Sequence, residues 1–513
     1  MATISQAGRK MAFATLASRM AGFLRVLVLT AALGLGTRLL DAYNVANTLP
    51  NAVYELLIGG AMASVIVPLL TRAALTDPDH GVLYTQRLLS LMVYGLSAVT
   101  LLAVVLAPWL VELVAPGFTP EQHELAVVFS RYFLPQILFY GVSATAGAVL
   151  NIRGRFAAPA WAPLCNSLVV IVVGLLYVLS GSFLLLAVGT SLGVFAQMAL
   201  VVWALGRSGF PIRLHLDPRG IAIRRIGGLA GWVLLSVLGA QAFLVAATRV
   251  ASLSGPGGVT AYQNALAVFQ VPFAVIALSV MTTMLPRLSR NAARRDHDRM
   301  VRDLSLAVRV AVVVMAPIAV AMVLLGRPVA TLLFDHGNSA ASTVRLLGTV
   351  LAAFGLALVP FSAYSILQRG FYALQDTRTP ALITAGVAVT GIAGCAVAGF
   401  VLPAGSIVVG VPIAYAIAYT IGLVTTVAVL RRRLGWIDGK RLMRTHVRVL
   451  IAVSAGAACA VGALFLVGTS VPIVTILAAA GVGALGYLAT AKLLHIGELR
   501  LVVVTTLGGL RLS

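Results

Sequence analysis

Two arginines in the first apolar stretch of the chain are the side chains best suited to bind a phosphate group. Arg19 and Arg25 lie within residues 12–35. In a helix their spacing places them about 120° apart around the axis and roughly 9 Å apart along it, so both can line one cavity. A guanidinium group donates paired hydrogen bonds to phosphate oxygens. The alternative is that both side chains extend to the membrane surface, which suits Arg19 better than the deeper Arg25.

The next apolar stretch, residues 42–70, adds polar groups that could face the same cavity. Pro50 and Asn51 stand in its middle. Because proline removes a backbone hydrogen bond, Pro50 predicts a bend that opens toward a cleft lined by Asn51. Asp41 precedes the stretch, and we expect it to cap a helix at the interface rather than to contact a ligand.

Glu55 follows this proline by about one helical turn. It is predicted to pair with Arg25 or Arg19 and keep an empty cavity neutral, or to bind a cation. A structural ion pair between helices is an equal alternative.

Two amides flank a second proline, Pro272, in the other half of the chain. Asn264 and Gln270 are candidates for a cavity lining, although amides in membrane helices more often hydrogen-bond a neighbouring helix. The predicted spans 226–252, 379–402 and 406–430 of this half contain no Asp or Glu. The easiest carboxylate site for a coupling cation is therefore missing there.

The sequence carries no motif of an enzyme. Neither a phosphate-binding Gly-Lys-Ser/Thr loop nor an HExxH or Ser/His/Asp arrangement is present, so ATP hydrolysis is not expected. Cys165, Cys395 and Cys459 lie far apart in apolar stretches and suggest neither a disulfide nor a metal site. We expect no cofactor.

The composition is that of an integral membrane protein. Of the 513 residues, 60% are hydrophobic and only 10% are charged, whereas a soluble domain carries about 25% charged residues. About fourteen apolar stretches are long enough to span a bilayer. We predict these spans: 12–35, 42–70, 88–114, 124–150, 159–180, 183–206, 226–252, 258–286, 304–326, 341–367, 379–402, 406–430, 449–468 and 471–493.

The net charge of +22 is explained by topology rather than by nucleic-acid binding, because the basic residues are spread over short loops. With the amino terminus in the cytoplasm, most of the 37 Lys and Arg residues fall on the cytoplasmic side. The positive-inside rule therefore predicts a multi-pass membrane protein with both termini in the cytoplasm and an even number of spans.

Two pairs of segments indicate an internal repeat. Residues 67–72 (VPLLTR) are similar to residues 285–290 (LPRLSR), and the loop from Asn151 is similar to the loop from Tyr372. The first pair aligns Pro68 with Pro286 and the second aligns Pro159 with Pro380, so the two offsets are nearly equal. We therefore predict two parallel repeats of six helices facing each other across a cleft at the bilayer midplane. The corresponding regions are 1–206 for the N-terminal lobe, 207–430 for the C-terminal lobe, and 431–513 for two additional spans and a cytoplasmic tail.

Several motifs, taken in their order and spacing, resemble one family. They are residues 18–25 (SRMAGFLR), the stretch from Asp41 to Asn51, and residues 369–380 (RGFYALQDTRTP), which match the pattern FYAxxDTxTP. The chain resembles the MurJ/MviN lipid II flippases of the multidrug/oligosaccharidyl-lipid/polysaccharide exporter superfamily. The resemblance covers nearly the whole chain and implies an all-α protein of fourteen helices with a V-shaped pair of lobes. It also implies cavity roles for Ser18, Arg19, Arg25 and Asp41.

The chain departs from the family pattern at four positions. Val26 stands where the family commonly has aspartate, Tyr54 and Ala267 where it has arginines, and Ala247 where it has an acid. The departures remove side chains from the family's basic cavity and from a sodium site on the seventh span.

The resemblance and the arginine pair together predict a flippase for lipid II, the undecaprenyl-diphosphate-linked peptidoglycan precursor. The expected mechanism is alternating access without covalent chemistry, and the membrane potential is expected to help reset the empty carrier. One alternative is an exporter of another polyprenyl-linked glycan, of a teichoic-acid precursor or of a cationic drug. A second is a membrane scaffold that recruits cell-wall synthesis proteins through its arginine-rich loops. Membrane lipids are the other expected partners, and nucleic acid is not.

Overall fold

The computed structural model describes residues 2–57, 66–215, 227–467 and 471–499. Over these ranges the chain is helical and has no β-strand. A π-helix (Phe273–Ala277) joins α11 to α12, and a short 3₁₀ helix (Ala404–Ser406) precedes α16. The α-helices are α1 (Ala2–Leu33), α2 (Arg38–Glu55), α3 (Val67–Thr76), α4 (Val82–Val105), α5 (Ala107–Val114), α6 (Pro120–Phe133), α7 (Gln136–Ile152), α8 (Ala157–Ser180), α9 (Phe183–Arg207), α10 (Gly227–Ser252), α11 (Gly258–Pro272), α12 (Leu278–Ala293), α13 (His297–Phe334), α14 (Ala341–Ala373), α15 (Arg378–Val401), α16 (Ile407–Leu434), α17 (Gly439–Val467) and α18 (Pro472–Leu493).

The helices confirm a multi-pass membrane protein. Within the described ranges, 12 helical segments are long and apolar enough to cross a bilayer, and they coincide with the third to fourteenth predicted spans. The first two predicted spans fall on α1 and on α2 with α3, and residues 58–65 lie outside the description. Large apolar side chains are widely exposed, among them Phe400 and Leu466 at 91% and 89%. Lipid, rather than water, is the solvent that suits such a surface.

Prolines divide two of the predicted spans. The third span is split into α4 and α5 before Pro108, and the fourth into α6 and α7 at Pro135. Both breaks follow from the missing amide hydrogen of proline.

Two helices extend beyond the predicted membrane boundaries. The predicted spans end at 286 and resume at 304, whereas α12 continues to Ala293 and α13 begins at His297. The Asp296 carboxylate caps α13 by accepting a 3.0 Å hydrogen bond from the Arg299 amide. Hydropathy marks where lipid ends, and a well-capped helix continues into water.

The chain divides into two compact units. The first comprises Met1–Thr260 with His336–Ser339, and the second comprises Ala261–Asp335 with Ala340–Ser513. In the first unit, α8 packs on α1 and α9, and α7 packs on α4 and α9. In the second unit, α16 packs on α14 and α15, and α14 packs on α13. The lobe boundaries at residues 206 and 430 stay a prediction.

The helix bounds confirm the internal repeat. When both ends of α8 (Ala157–Ser180) are shifted by the offset that relates Pro159 to Pro380, they coincide with the ends of α15 (Arg378–Val401). The packing of α7 and α8 on α9 recurs as the packing of α14 and α15 on α16. Six helices that return the chain to its starting side can be repeated in parallel orientation.

Both repeats also contain π-helical backbone at matching places. Leu56 and Leu57 follow α2 in this conformation. The offset that relates Pro68 to Pro286 places them within the π-helix Phe273–Ala277 of the second repeat. A π-helical turn widens the helix locally and bends it, and such turns are frequent at functional sites.

The two additional helices, α17 and α18, pack on each other and on α13. Small residues bring α17 and α18 close together: a Cβ added to Gly486 would lie 2.8 Å from the Cys459 sulfur. The Tyr487 hydroxyl donates a 2.7 Å hydrogen bond to the Val313 carbonyl of α13. A mainly apolar cavity of about 210 Å³ lies between these three helices. The pair therefore belongs to the second unit, where it packs on α13 and borders a cavity.

Candidate functional site

Arg25 lies among phenol and amide groups in the first unit. Its half-buried guanidinium group interacts electrostatically with the phenols of Tyr43 and Tyr140, from α2 and α7. Arg25 forms no salt bridge with any residue in the described ranges. A cation on a predicted membrane span, without an acidic partner in that part of the chain, is suited to an anionic ligand.

Hydrogen bonds fix the orientation of these phenols. The Tyr43 hydroxyl lies 3.1 Å from the Thr190 hydroxyl of α9. The Tyr140 hydroxyl donates a 3.4 Å hydrogen bond to Asn51 Oδ1, and the Tyr54 ring packs against the Tyr140 ring at 4.3 Å between centroids. Asn51 is thus joined to the surroundings of Arg25, as a cavity role requires.

Tyr54 occupies the position where the resemblance places an arginine. Its phenol interacts with the buried amide of Gln197 on α9. The cluster is therefore less basic than the family pattern implies, and richer in neutral hydrogen-bonding groups.

Asp41 is fully buried and holds the beginning of α11 against α2. One carboxylate oxygen accepts a 2.6 Å hydrogen bond from the Gly257 amide. The other accepts hydrogen bonds from the amide and hydroxyl of Thr260, at 2.9 and 2.6 Å. Asn44 Nδ2 donates to the same hydroxyl at 3.0 Å. The geometry is that of a helix cap, in which the carboxylate satisfies amides that the first turn leaves unpaired.

The two other candidates on α1 are Ser18, which contacts a neighbouring helix, and Arg19, which is exposed. The Ser18 hydroxyl donates a 3.2 Å hydrogen bond to the Ala160 carbonyl and thereby joins α1 to α8. The Arg19 side chain is exposed and forms no ion pair within the described ranges.

Glu55 is exposed at the end of α2 and has no ion-pair partner in the described ranges. The pairing with Arg25 or Arg19 suggested by the sequence is therefore not formed in this structure. Because Glu55 does not neutralise it, Arg25 is available to another anion.

The remaining two candidates, Asn264 and Gln270, lie on α11 in the second unit. Asn264 is buried and Gln270 is exposed. Around α11 lies an aromatic cluster that was not predicted from the sequence. Phe269 packs against Phe354 at 5.0 Å and against Tyr415 at 5.8 Å between ring centroids. Aromatic residues at helical spacing on α14 and α16 were the available signal.

The family motif at the start of α15 forms an ionic network in the second unit. Asp376 Oδ1 accepts a 3.0 Å hydrogen bond from the Thr379 amide, and Arg433 Nη1 lies 2.7 Å from Asp376 Oδ2. Arg433 Nη2 also donates to the Thr379 hydroxyl at 2.9 Å. Burial acts to raise the pKa of Asp376, but the hydrogen bonds from Thr379 and the charge of Arg433 outweigh it and lower the pKa below its usual value.

Comparison with known proteins decides the family. The profile described as "Lipid II flippase MurJ" matches residues 29–478. A "Probable lipid II flippase MurJ" of Rhizobium meliloti (strain 1021) is 31% identical over 393 residues, which cover 73% of this chain and 71% of that protein. The chain belongs to the MurJ lipid II flippase family. A "Lipid II flippase MurJ" of Burkholderia cenocepacia is 28% identical over 382 residues, covering 73% of this chain and 74% of that protein.

Solved structures agree with the MurJ fold. A structure described as "Lipid II flippase MurJ, inward closed conformation" superposes with a TM-score of 0.79 at 20% identity, covering 94% of this chain and 98% of that one. An inward-facing multidrug resistance MATE family transporter superposes with a TM-score of 0.70 at 16% identity, covering 80% of this chain and 94% of that one. As a member of the MurJ family, the chain is a transporter and not an enzyme.

Proposed function

We propose that this protein carries lipid II from the inner to the outer leaflet of the bacterial inner membrane by alternating access. Membership of the MurJ family and the MurJ-like fold support the substrate class. The single observation that carries the site is Arg25, a membrane-embedded guanidinium group without an acidic partner in the described ranges, surrounded by phenols and amides.

Each candidate residue has a distinct role in this proposal. Arg25, assisted by Arg19, binds the diphosphate through paired hydrogen bonds. Asn51 with Tyr140 offers hydrogen bonds to the sugars. Ser18 and Asp41 position helices, because both already bond to protein groups. Asn264 and Gln270 are the candidates that the second unit would contribute.

We assign the amino terminus to the cytoplasm from the distribution of basic residues. A net positive cavity crossing the field would respond to the membrane potential by about 2.3 kcal/mol per charge per 100 mV. The potential would thereby help to return the empty carrier. No cofactor takes part.

A binding and flipping assay with purified protein tests the role of Arg25. In proteoliposomes, we expect Arg25→Ala to weaken lipid II binding at least about tenfold, since a hydrogen bond to a charged group contributes roughly 1.5–3 kcal/mol. Arg25→Lys keeps the charge but loses the paired hydrogen bonds, so its affinity for lipid II should lie between those of the wild type and Arg25→Ala. The matched control is Arg72→Ala, because Arg72 is an exposed arginine of the same unit. Unchanged binding and flipping in Arg25→Ala would remove the proposed role.

Depletion in cells tests the substrate. We expect lipid II to accumulate on the cytoplasmic side when the protein is removed. Accumulation of a teichoic-acid precursor or of another polyprenyl-linked glycan would instead assign a different head group, which Tyr54 in place of a basic residue would then explain. Continued growth after the cleft is sealed by a crosslink would favour the scaffold for cell-wall enzymes.

A further inference from the structure

A second cationic site lies in the first unit, at the connection between α7 and α8. A cavity of about 620 Å³ opens there between α1, α7, α8 and α9. None of the candidate substrate residues lines it, although Ser18 bonds to Ala160 in its wall. Its characteristic lining residues are Arg155, Phe156, Trp161, Trp203 and Arg207.

The charge of this cavity is uncompensated within the described residues. Arg155 and Arg207 are its only charged lining residues there, and neither forms a salt bridge with another described residue. The Arg207 guanidinium group lies 5.0 Å from the centre of the Trp203 ring, which holds it in place. Two neighbouring guanidinium groups without an acid favour an anion with several acceptor oxygens.

The remainder of the lining is suited to a lipid. Trp161 and Trp203 are 38% and 58% exposed, and tryptophan is enriched at membrane–water interfaces. Exposed apolar side chains continue along α8 and α9, including Leu168 and Phe195. The cavity thus adjoins a surface that acyl chains can cover, which a site for free phosphate does not need.

The repeat shows that the fold itself does not require these residues. At the equivalent positions of the second repeat, aligned as Pro159 is with Pro380, Asp376 replaces Arg155, Ala428 replaces Arg207 and Val424 replaces Trp203. The second unit therefore forms the same connection without the paired arginines and without Trp203, and its one cation at a lining position is Arg378, which stands where the first unit has Ala157. The lining of the first unit has to be explained by something other than helix packing.

We propose that this cavity binds the phosphodiester head group of an anionic glycerophospholipid, with its acyl chains along α8 and α9. Arg155 and Arg207 contact the phosphate, and Trp161 and Trp203 hold the glycerol region at the interface. Because the site is separate from Arg25, lipid binding here does not depend on the proposed transport of lipid II. Basic pockets between membrane helices are known to recognise such head groups.

Native mass spectrometry of the full chain, with lipid II absent, tests the proposal. Phosphatidylglycerol and phosphatidylcholine of identical acyl chains are the two probes. We expect the wild type to retain phosphatidylglycerol preferentially, and Arg155→Gln and Arg207→Gln each to weaken retention about fivefold. The double variant Arg155→Lys with Arg207→Lys keeps both charges and should retain more phosphatidylglycerol than the double variant Arg155→Gln with Arg207→Gln. Arg72→Gln, an exposed arginine on the helix whose Leu70 packs with Leu150 and Leu205, should match the wild type.

Three results would overturn the proposal. The first is equal retention of the two lipids by the wild type. The second is full retention of phosphatidylglycerol by the double Arg→Gln variant. The third is displacement of the lipid by inorganic phosphate at comparable concentration, which would make this a site for free phosphate. If the double Arg→Gln variant is not folded, the Arg→Lys variant and a Trp203→Leu variant decide the same question.

Discussion

The α7–α8 and α14–α15 connections share one backbone and differ in their side chains. In the first, the amides of residues 153, 154 and 155 donate to the carbonyls of 149, 151 and 150. In the second, the amides of 374, 375 and 376 donate to those of 370, 372 and 371, which are the equivalent positions of the repeat. Arg153 and Leu374 even have the same φ of −81°. The turn is therefore a property of the repeat, whereas its chemistry is specific to each unit.

The side chains give the two turns opposite electrostatic roles. Asp376 closes the second turn onto Arg433, whereas Arg155 at the equivalent position of the first turn faces a cavity. The first turn also lacks the ion-pair partner of the second, because Ile212 stands at the position equivalent to Arg433. An ion pair fixes one connection, and the other keeps its charge available for a ligand.

Replacing Asp376 by the residue that stands at the equivalent position of the first turn, Arg155, should have the largest effect on stability. We expect Asp376→Arg to lower the stability of the protein by about 2 kcal/mol, because it removes the cap of α15 and places a second cation beside Arg433. The reciprocal Arg155→Asp should cost much less, since it breaks no ion pair in the described ranges. Thermal unfolding in detergent measures both. Equal losses in the two variants would show that the turns are not electrostatically different.

A smaller effect is expected at the one position in these turns that has a left-handed backbone. Gly154 has φ +72°, and its equivalent Gln375 has φ +58°. An L side chain in this conformation costs roughly 1–2 kcal/mol, and a Cβ on Gly154 would meet nothing within 4 Å. Gly154→Gln should therefore lower stability by about 1 kcal/mol through the backbone alone, as measured by thermal unfolding.

The reciprocal variant is the control for that effect. Gln375→Gly reverses both the backbone strain and the unfolded-chain entropy of the first variant, so we expect it to raise stability by about as much as Gly154→Gln lowers it. Loss of stability in Gln375→Gly would mean that the Gln375 side chain makes a contact that outweighs the strain.

The sequence predicted the turns and the helices that they join, because hydropathy and the repeat report directly on membrane spans. The motif around Asp376 also identified this connection as one that matches the family pattern. The pairing of Asp376 with Arg433 was not predictable, since it joins residues on different helices that no periodicity relates. The cluster around Arg25 was predicted in part: Arg25 and Asn51 were identified as charged or polar groups in a span. Tyr140 and Thr190 were not, because a tyrosine or threonine in an apolar helix carries no distinguishing spacing.

The smallest expected effect is a difference in pH dependence between the two turns. The pKa of Asp376 is lowered in the folded protein, so its stabilising contribution is fully present above the unfolded pKa of about 3.9 and is lost as the pH falls through the folded value. The melting temperature of the wild type should therefore exceed that of Asp376→Asn by a constant amount from neutral pH down to about pH 5. The gap should narrow below that and close once the carboxyl is protonated in both states. For Arg155→Gln the difference from the wild type should not change over this range, because a guanidinium group does not titrate there. A gap for Asp376→Asn that persists at the lowest pH would assign the stabilisation to hydrogen bonding by the neutral side chain, and the ionic distinction between the two turns would then be wrong.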